Sequence, residues 1–343
     1  MNDLSPLPVP PPGVTLKQIA AHLGLSVTTV ARCLRNDTHR ISPATVARVR
    51  QAARDLGYVR NLDGLRLRTG RTMTLLAVLG TAEDDEVGDP GSDGLLNGMQ
   101  RRLAGSDYVL ASKPILLNDR SPERLAAILR NRPCDGVVID HIEPGDPRVA
   151  LLTRMQVPFL TFGRPAADAP HPWFEIDNIH AAHQGTAALI ARGHRRIALI
   201  EAAQDLNFAR ERVEGYRRAL AEAGLDYDPA LVRHMPTAAG VIRQHVRDLA
   251  ASQNPDAYLC SNEIFLIATL AACRDAARRP LERTGFAFRG ATNLGAYLGL
   301  PLIASHYPRR AVGFQLADLL LRRLQGAPLA SLQRLVRCDL RQY

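Results

Sequence analysis

The stretch VTLKQIAAHLGLSVTTVARCL, residues 14–34, decides the fold of the amino-terminal part of the chain. Its first half carries apolar residues at helical spacing, and Thr15 in front of them is a suitable helix cap. Gly24 ends this helix, and Ser26 is suited to cap a second helix that runs to Leu34. Two short helices joined through a glycine predict a helix-turn-helix.

A third helix is predicted from Ser42 to Leu56. Ser42 is a suitable cap, and Pro43 fits the first helical position, where no backbone N–H is needed. Gly57 stops the helix. Its apolar stripe consists of Val46, Val49, Ala53 and Leu56. The three helices can therefore share one small core.

The positive charge is concentrated in the same region. Residues 1–71 contain eleven Lys and Arg against four Asp and Glu, a balance of +7, whereas the other 272 residues contain 32 against 30. A basic excess this local is typical of a surface that binds phosphates and releases counterions. The alternative interpretation is a small helical bundle with no role in nucleic-acid binding.

The rest of the chain alternates short apolar runs with helical stretches. The runs lie at residues 73–79, 108–111, 137–140, 158–162, 196–202, 257–262 and 284–288. This alternation is typical of parallel α/β sheets, and the 343 residues are enough for a small head and a larger body of two lobes. In such sheets ligands bind beyond the carboxyl ends of the strands, so site residues are expected there.

Several stretches together resemble the LacI/GalR family of bacterial transcriptional regulators. In the head they are residues 14–34, ISPATVARVRQAARDLGYVRN at 41–61 and LRTGRT at 67–72. In the body they are FGR at 162–164, FEIDN at 174–178, GHRRIALI at 193–200 and ARERVEGYRRALAEAGL at 209–225. The resemblance runs from Val14 to about Gly326. It implies an all-α helix-turn-helix domain with a hinge helix, followed by a two-lobed α/β domain like periplasmic binding proteins.

The resemblance also implies a domain organisation. We expect a disordered, proline-rich leader at 1–13, a helix-turn-helix domain at 14–59, a hinge at 60–71 and an effector-binding and dimerisation domain at 72–343. Within the last, we expect an N-lobe at about 72–169 and 302–333 and a C-lobe at about 170–300 and 334–343.

The family's second helix reads DNA in the major groove, which implies base contacts by Val27, Thr28 and Arg32. Arg32 is the strongest of the three, since its fork can donate two hydrogen bonds to a guanine edge. Ser26 and Thr29 are expected to contact phosphates or only to cap helices. The complete predicted DNA-binding set is Thr15, Ser26, Val27, Thr28, Thr29, Arg32, Asn36, Tyr58, Arg60, Asn61, Leu67 and Arg68.

The hinge departs from the family pattern. Arg60 stands where a proline is usual, and Gly64-Leu65 stands where an alanine and often an arginine are usual. Gly64 costs about 1 kcal/mol relative to alanine in a helix, so the hinge is expected to fold only against DNA. In the family a hinge leucine opens the minor groove, and here either Leu67, which matches the family register, or Leu65 can be that wedge.

The resemblance places an effector between the two lobes. The residues expected to contact it are Arg164, Trp173, Phe208, Arg212, Asn262 and Glu263. Arg212 can hold sugar hydroxyls or a carboxylate, or it can belong to a structural ion pair. Trp173 can stack on a sugar ring or be a core residue. Gly285-Phe286-Ala287 matches a strand end where the family commonly has an aspartate that grips the ligand, so this chain lacks that anchor.

The effector itself is predicted to be a sugar. DPRVALL at 146–152, PFLTFGR at 158–164 and HPWFEIDN at 171–178 resemble the branch of the family that responds to α-glucosides. A non-sugar effector, or none, is the alternative for a regulator. A second class of function, a sugar-binding or sugar-modifying protein whose basic head is incidental, would need a catalytic constellation or a targeting signal.

Neither of these features is found in the sequence. It has no GxxxxGK[ST], GxSxG, HExxH or PCxxC motif, so no enzyme activity and no cofactor are expected. His180 and His183 have no third ligand at fitting spacing, and the five cysteines form no CxxC pair, so no metal is expected.

The same resemblance predicts where the protein works and what it binds. The expected function is a sequence-specific repressor of sugar-utilisation genes in the cytoplasm, associated with the nucleoid and not with a membrane. Its expected partners are double-stranded operator DNA, a small effector and a second copy of itself. A homodimer suits a pseudo-palindromic operator, and a tetramer remains open.

Overall fold

The computed structural model describes residues 14–34, 38–58, 69–81, 92–116, 119–131, 133–165, 170–203, 206–276 and 280–343. The chain divides into two compact units, Met1–Gly70 and Arg71–Tyr343. Among the described residues, no helix combines the length and apolar character needed to cross a membrane.

The first unit contains the predicted three helices. They are α1 (Leu16–Leu23), α2 (Val27–Leu34) and α3 (Pro43–Asp55). Thr15 and Gln18 form a capping box at the start of α1, and Gly24 takes the left-handed conformation, φ 65°, at its end. The fully buried side chains at the centre are Ile19, Val30, Cys33 and Val49. The predicted helix-turn-helix with its third helix is confirmed.

The second unit alternates strands and helices as predicted. Its strands are β1 (Thr74–Thr81), β2 (Val109–Leu116), β3 (Gly136–Asp140), β4 (Phe159–Phe162), β5 (Trp173–Ile176), β6 (Ile197–Ala202), β7 (Val232–Met235), β8 (Ala257–Cys260), β9 (Gly285–Gly290), β10 (Leu302–His306), β11 (Gln333–Val336) and β12 (Asp339–Gln342). Its helices are α4 (Ser92–Leu103), α5 (Pro122–Asn131), α6 (Pro147–Arg154), α7 (Asn178–Ala191), α8 (Asn207–Glu222), α9 (Ala239–Gln253), α10 (Glu263–Ala276), α11 (Gly295–Leu298) and α12 (Arg309–Leu324). Short 3-10 turns lie at Pro229–Leu231, Leu281–Arg283 and Leu329–Ser331.

The strands form two six-stranded sheets. The first has the order β11-β5-β4-β3-β1-β2, and the second has the order β12-β10-β9-β8-β6-β7. Every pairing is parallel except that of β10 with β12. Apolar side chains of helices pack on both faces of each sheet. Two α/β lobes with parallel sheets were predicted, and they are confirmed.

The structure corrects the predicted lobe boundaries. Strand β5, expected in the C-lobe from residue 170, lies in the first sheet, because Trp173 pairs with Thr161 and Gln333. Strand β10, expected in the N-lobe from residue 302, lies in the second sheet beside β9. Strand β11, at 333–336, belongs to the first sheet rather than to the C-lobe. An apolar run looks the same in either lobe, so only the register of pairing assigns it.

Candidate functional site

The outward face of α2 presents the residues expected to read bases. Val27 is 41% exposed although it is apolar, and Thr28 beside it is exposed. Val30 and Cys33 on the opposite face are fully buried in the head core. The helix therefore holds its outward side chains on a rigid base, which suits contact with a groove.

Arg32 is half-buried at the end of α2. Its Nη2 donates a hydrogen bond of 2.6 Å to the backbone carbonyl of His39. This contact anchors one end of the guanidinium in the loop before α3. To bind a guanine, Arg32 would have to use its other N–H groups or exchange its hydrogen bond with the His39 carbonyl for one with the base.

The other predicted DNA-binding residues of the head have visible structural roles. Ser26 accepts a hydrogen bond from the Thr29 backbone N–H at 3.1 Å, so it caps α2. Thr15 caps α1, and Tyr58 is half-buried against the head core. Whether they also contact phosphates stays a prediction. Asn36, Arg60, Asn61, Leu67 and Arg68, together with the alternative wedge Leu65, lie outside the described residues.

Contacts near the carboxyl ends of the strands join the two lobes of the second unit. Arg164, which follows β4 of the first sheet, makes a 3.0 Å ion pair with Glu211 on α8, which packs on the second sheet. The rings of His141 and Phe208 meet edge to face across the same boundary, with centroids 6.2 Å apart. Four of the predicted effector residues lie along this boundary: Arg164, Phe208, Arg212 and Trp173.

Arg212 is held by a carboxylate that the sequence reading did not consider. Its Nε and Nη2 donate to the two carboxylate oxygens of Glu201 at 2.6 and 2.7 Å. Glu201 lies on β6 and is fully buried, and Arg212 is 9% exposed. The guanidinium also lies 4.6 Å from the centroid of the Phe208 ring. The structure thus shows a buried ion pair here, and contact with an effector stays a prediction.

Trp173 and Arg164 form a second pair in the first lobe. The Arg164 guanidinium lies 5.6 Å from the centroid of the Trp173 ring. Trp173 is only 7% exposed, and its indole Nε1 has no hydrogen-bond partner among the described residues. Trp173 is therefore packed as a core residue whose N–H remains available.

Asn262 and Glu263 stabilise backbone at the start of α10. The Asn262 Oδ1 accepts hydrogen bonds from the N–H groups of Ile264 and Phe265 at 2.9 and 3.1 Å. The Glu263 Oε1 accepts from Ala291 and Thr292 in the loop after β9, at 2.5 and 2.7 Å. Both side chains therefore hold backbone next to the ends of β8 and β9, and their contact with an effector stays a prediction.

Glu175 is a buried acid that sequence reasoning missed. It is 3% exposed on β5, and its Oε1 accepts hydrogen bonds from the Ile176 backbone and from Asn178 at 2.8 and 3.2 Å. Burial, followed by the charge of Glu211, raises the pKa of the Glu175 carboxyl to about 7. The only sequence signal was a charged residue inside the apolar run FEIDN.

A Glu175→Gln variant is expected to be more stable than the wild type at pH 8, by about 2 kcal/mol. Between the ordinary pKa of 4.5 and about 7, the unfolded chain loses the Glu175 proton and the folded chain keeps it. Wild-type stability therefore falls as the pH rises through this window, and the variant lacks that contribution. Urea unfolding at pH 5 and pH 8 measures the effect.

The difference in unfolding free energy between the variant and the wild type separates the contribution of Glu175 from that of His171, which is present in both proteins. Burial lowers the pKa of His171 to about 4. His171 therefore makes the folded protein less stable as the pH falls below 6.5, which is the opposite pH dependence to that of Glu175. Exposed Glu282→Gln is the matched control. Equal pH dependence of the Glu175 variant and the wild type would show that the carboxyl ionises normally.

The structure also corrects the expected strand end at residues 285–287. Gly285-Phe286-Ala287 opens β9 instead of closing it, and Gly285 is required because a Cβ there would lie 2.6 Å from the His194 ring. The side chain at the carboxyl end of β9 is Arg289, which is 7% exposed. Sequence reasoning missed Arg289 because it ended this strand at residue 287 or 288, whereas β9 continues to Gly290.

The two histidines considered as metal ligands have other contacts. His183 Nε2 lies 2.7 Å from the Glu222 carboxylate, and the His180 backbone N–H donates to Asp177. Within the described ranges, no group of three His, Cys, Asp or Glu side chains is arranged to hold a metal ion.

Comparison with known families matches both units. Residues 15–61 match the family described as bacterial regulatory proteins, lacI family. Residues 74–327 match the family described as periplasmic binding proteins and sugar binding domain of LacI family.

Individual relatives cover most of the chain. The HTH-type transcriptional regulator CelR of Thermobifida fusca is 31% identical over 91% of this chain and 92% of its own length. The HTH-type transcriptional regulator AglR of Rhizobium meliloti is 34% identical over 77% of this chain and 74% of its own. Among solved structures, a complex of the transcriptional regulator CelR with cellobiose superposes with a TM-score of 0.71 at 28% identity, covering 96% of this chain and 98% of that one.

Proposed function

Since this chain belongs to the LacI family of bacterial regulatory proteins and is a DNA-binding transcriptional regulator, we propose that it represses genes of sugar utilisation. In this proposal a sugar effector bound between the lobes changes the affinity of the head for its operator. The observation that carries it is the union, in one chain, of a helix-turn-helix head with a body matching a sugar-binding domain. The CelR complex with cellobiose supports a sugar as the class of effector.

The proposal assigns roles to particular side chains of the head. Val27, Thr28 and Arg32 contact base edges in the major groove, and the hinge inserts Leu67 or Leu65 into the minor groove. Two heads bind the halves of a pseudo-palindromic operator, so the working form is a dimer or a tetramer of dimers. The protein acts on the bacterial chromosome in the cytoplasm and catalyses no reaction.

The proposal also assigns the effector site. Arg164, Trp173, Phe208, Arg212, Asn262 and Glu263 line the cleft between the lobes and contact the sugar. A ligand that prefers one arrangement of the lobes shifts the equilibrium toward it, by no more than its difference in affinity for the two arrangements. Because a change in the arrangement of the lobes also changes the positions of the hinges, effector binding changes the affinity of the protein for DNA.

A binding-site selection from random DNA with the purified full-length protein tests the DNA-binding role. The wild type is expected to enrich a two-fold symmetric site. Arg32→Ala is expected to lose discrimination at one position of each half-site, by about 1–3 kcal/mol. Arg54→Ala, which removes an exposed guanidinium from α3, is the matched control and should keep the base preferences.

Two results would contradict the proposal. Failure of the wild type to enrich any symmetric site would remove the repressor function. An unchanged preference in Arg32→Ala would remove Arg32 from base recognition and leave it as the anchor of the His39 carbonyl.

A further inference from the structure

Arg289 lies in a row of polar residues at the carboxyl end of the second sheet. Ala287, two residues earlier, packs on the side covered by α7 and α8, so Arg289 lies on that same side. In register across the neighbouring strands, Glu201 of β6, Ser261 after β8 and Ser305 of β10 lie level with Arg289. The row lies close to the boundary between the lobes, because the backbone N–H of Arg309 in the first lobe donates to Ala291 just after β9.

Arg289 is buried, and no carboxylate of the described residues lies within ion-pair distance of its guanidinium. Three arginines are buried in the described part of the chain, and two of them have bidentate acidic partners: Arg148 with Asp146, and Arg212 with Glu201. For the guanidinium of Arg289, no described residue provides an ion pair or a hydrogen bond. A buried, unpaired charge is unfavourable, so this arrangement calls for a partner that the described residues do not supply.

The surroundings of Arg289 favour an anion. Burial, followed by the charge of Arg309, lowers the pKa of Arg289 to about 10. The nearby Glu201 is occupied by Arg212, and the Oε1 of Glu263 is occupied by backbone N–H groups. Beside Arg289, the buried Ser261 hydroxyl also has no hydrogen-bond partner among the described residues. A guanidinium and a hydroxyl are both donors to an oxyanion.

We propose that the effector of this regulator carries an acidic group, a carboxylate or a phosphate on a sugar, and that Arg289 binds this group. This inference rests on the proposed function, and it specifies that the sugar effector is an anion. A guanidinium fork matches two oxygens of a carboxylate or phosphate with two parallel hydrogen bonds. Neutral sugars leave the buried charge unpaired and bind weakly.

Arg309 gives the anion a way to act on lobe arrangement. It begins α12 of the first lobe, its guanidinium lies 5.5 Å from the centroid of the Phe162 ring, and its backbone N–H donates to Ala291 after β9. An anion on Arg289 of the second lobe is attracted to Arg309 of the first lobe. Binding of the anion therefore favours the lobe arrangement in which Arg309 lies closer to the anion.

Calorimetric titration of the purified full-length protein tests the inference. The acidic probes are gluconate, glucuronate, cellobionate and glucose 6-phosphate, and the neutral probes are glucose, cellobiose and maltose. Inorganic sulfate controls for simple anion binding. At least one acidic probe is expected to bind about tenfold or more tightly than its neutral counterpart and than sulfate, and the carboxylate and phosphate probes identify the group.

Variants of Arg289 connect that binding to the side chain. Arg289→Met is expected to weaken binding of the acidic probe by about tenfold or more, and Arg289→Lys, which keeps the charge and loses the fork, by an intermediate factor. Exposed Arg274→Gln on α10 is the matched control and should bind like the wild type. Because Arg289→Met removes an unpaired buried charge, its thermal midpoint without ligand should equal or exceed that of the wild type.

Three results with the acidic probes and the Arg289 variant would overturn the inference. They are the absence of binding by every acidic probe, unchanged binding in Arg289→Met, and a lowered thermal midpoint of Arg289→Met, which would make Arg289 a structural residue. Tight binding of a neutral sugar alone would also overturn it while leaving the proposed function intact. Operator selection is measured separately, so failure of the proposed function is distinguishable.

Discussion

Glu201→Ala is expected to destabilise the second lobe by about 3–5 kcal/mol, because it leaves the Arg212 guanidinium buried without its carboxylate. Glu201 is fully buried, and both of its oxygens accept hydrogen bonds from Arg212. Urea unfolding followed by circular dichroism measures the loss. The exposed pair Arg218–Glu214, also at 2.6 Å, supplies the matched control, and Glu214→Ala should cost no more than about 1 kcal/mol.

A double variant separates the two roles of Arg212. Glu201→Leu combined with Arg212→Met replaces the ion pair with apolar side chains, and it should recover most of the lost stability. If Arg212 also contacts the effector, this stable protein should bind its operator and fail to respond to the effector. A loss below about 1 kcal/mol in Glu201→Ala would mean that water reaches Arg212 and that the pair is not sealed.

Gly313→Ala is expected to destabilise the first lobe by about 3 kcal/mol, because helices α4 and α12 meet backbone to backbone at this residue. A Cβ on Gly313 would lie 2.0 Å from the carbonyl oxygen of Leu95, and one on Gly98 would lie 2.1 Å from that of Arg310. The atoms that would clash belong to the helix backbones, and these cannot move aside as the end of a flexible side chain can. The helices would have to separate and lose contact along the buried face that carries Val312 and Leu316.

Gly240→Ala is the matched control for this substitution. Gly240 lies near the start of α9 with no atom within 4 Å of the position of a Cβ, so the same change there should raise stability by about 0.5–1 kcal/mol. Differential scanning calorimetry of both variants compares them. If Gly313→Ala were as stable as the wild type, the two helices would not be in close contact in solution.

The head was the part most open to prediction. Thr15, Gly24 and Ser26 mark helix ends through contacts with residues three or four positions away, and Pro43 marks one because it needs no backbone N–H partner. All four are where the structure has the ends. These signals depend only on neighbouring residues, so they can be recognised without knowing how the rest of the chain folds.

The cleft was less predictable. Arg212 was proposed from a resemblance to known sequences and Phe208 from the flat face of its ring, but the partner of Arg212 was not predicted, since Glu201 lies on a different element. Arg289 was missed because its position depends on where β9 ends, and an apolar run does not reveal its own last residue. Glu175 was missed because burial, which raises its pKa, comes from the first sheet as a whole.

The sequence by itself determined the helix-turn-helix, the basic character of the head and the alternation of strands with helices, because caps, glycines and apolar periods act over a few neighbouring residues. Only the tertiary structure decided which sheet each strand joins, and which buried charges are neutralised. Glu201, Ser261, Arg289 and Ser305 are brought level only by the register of four strands. Whether a buried charge is satisfied depends on those distant neighbours, and no local pattern records them.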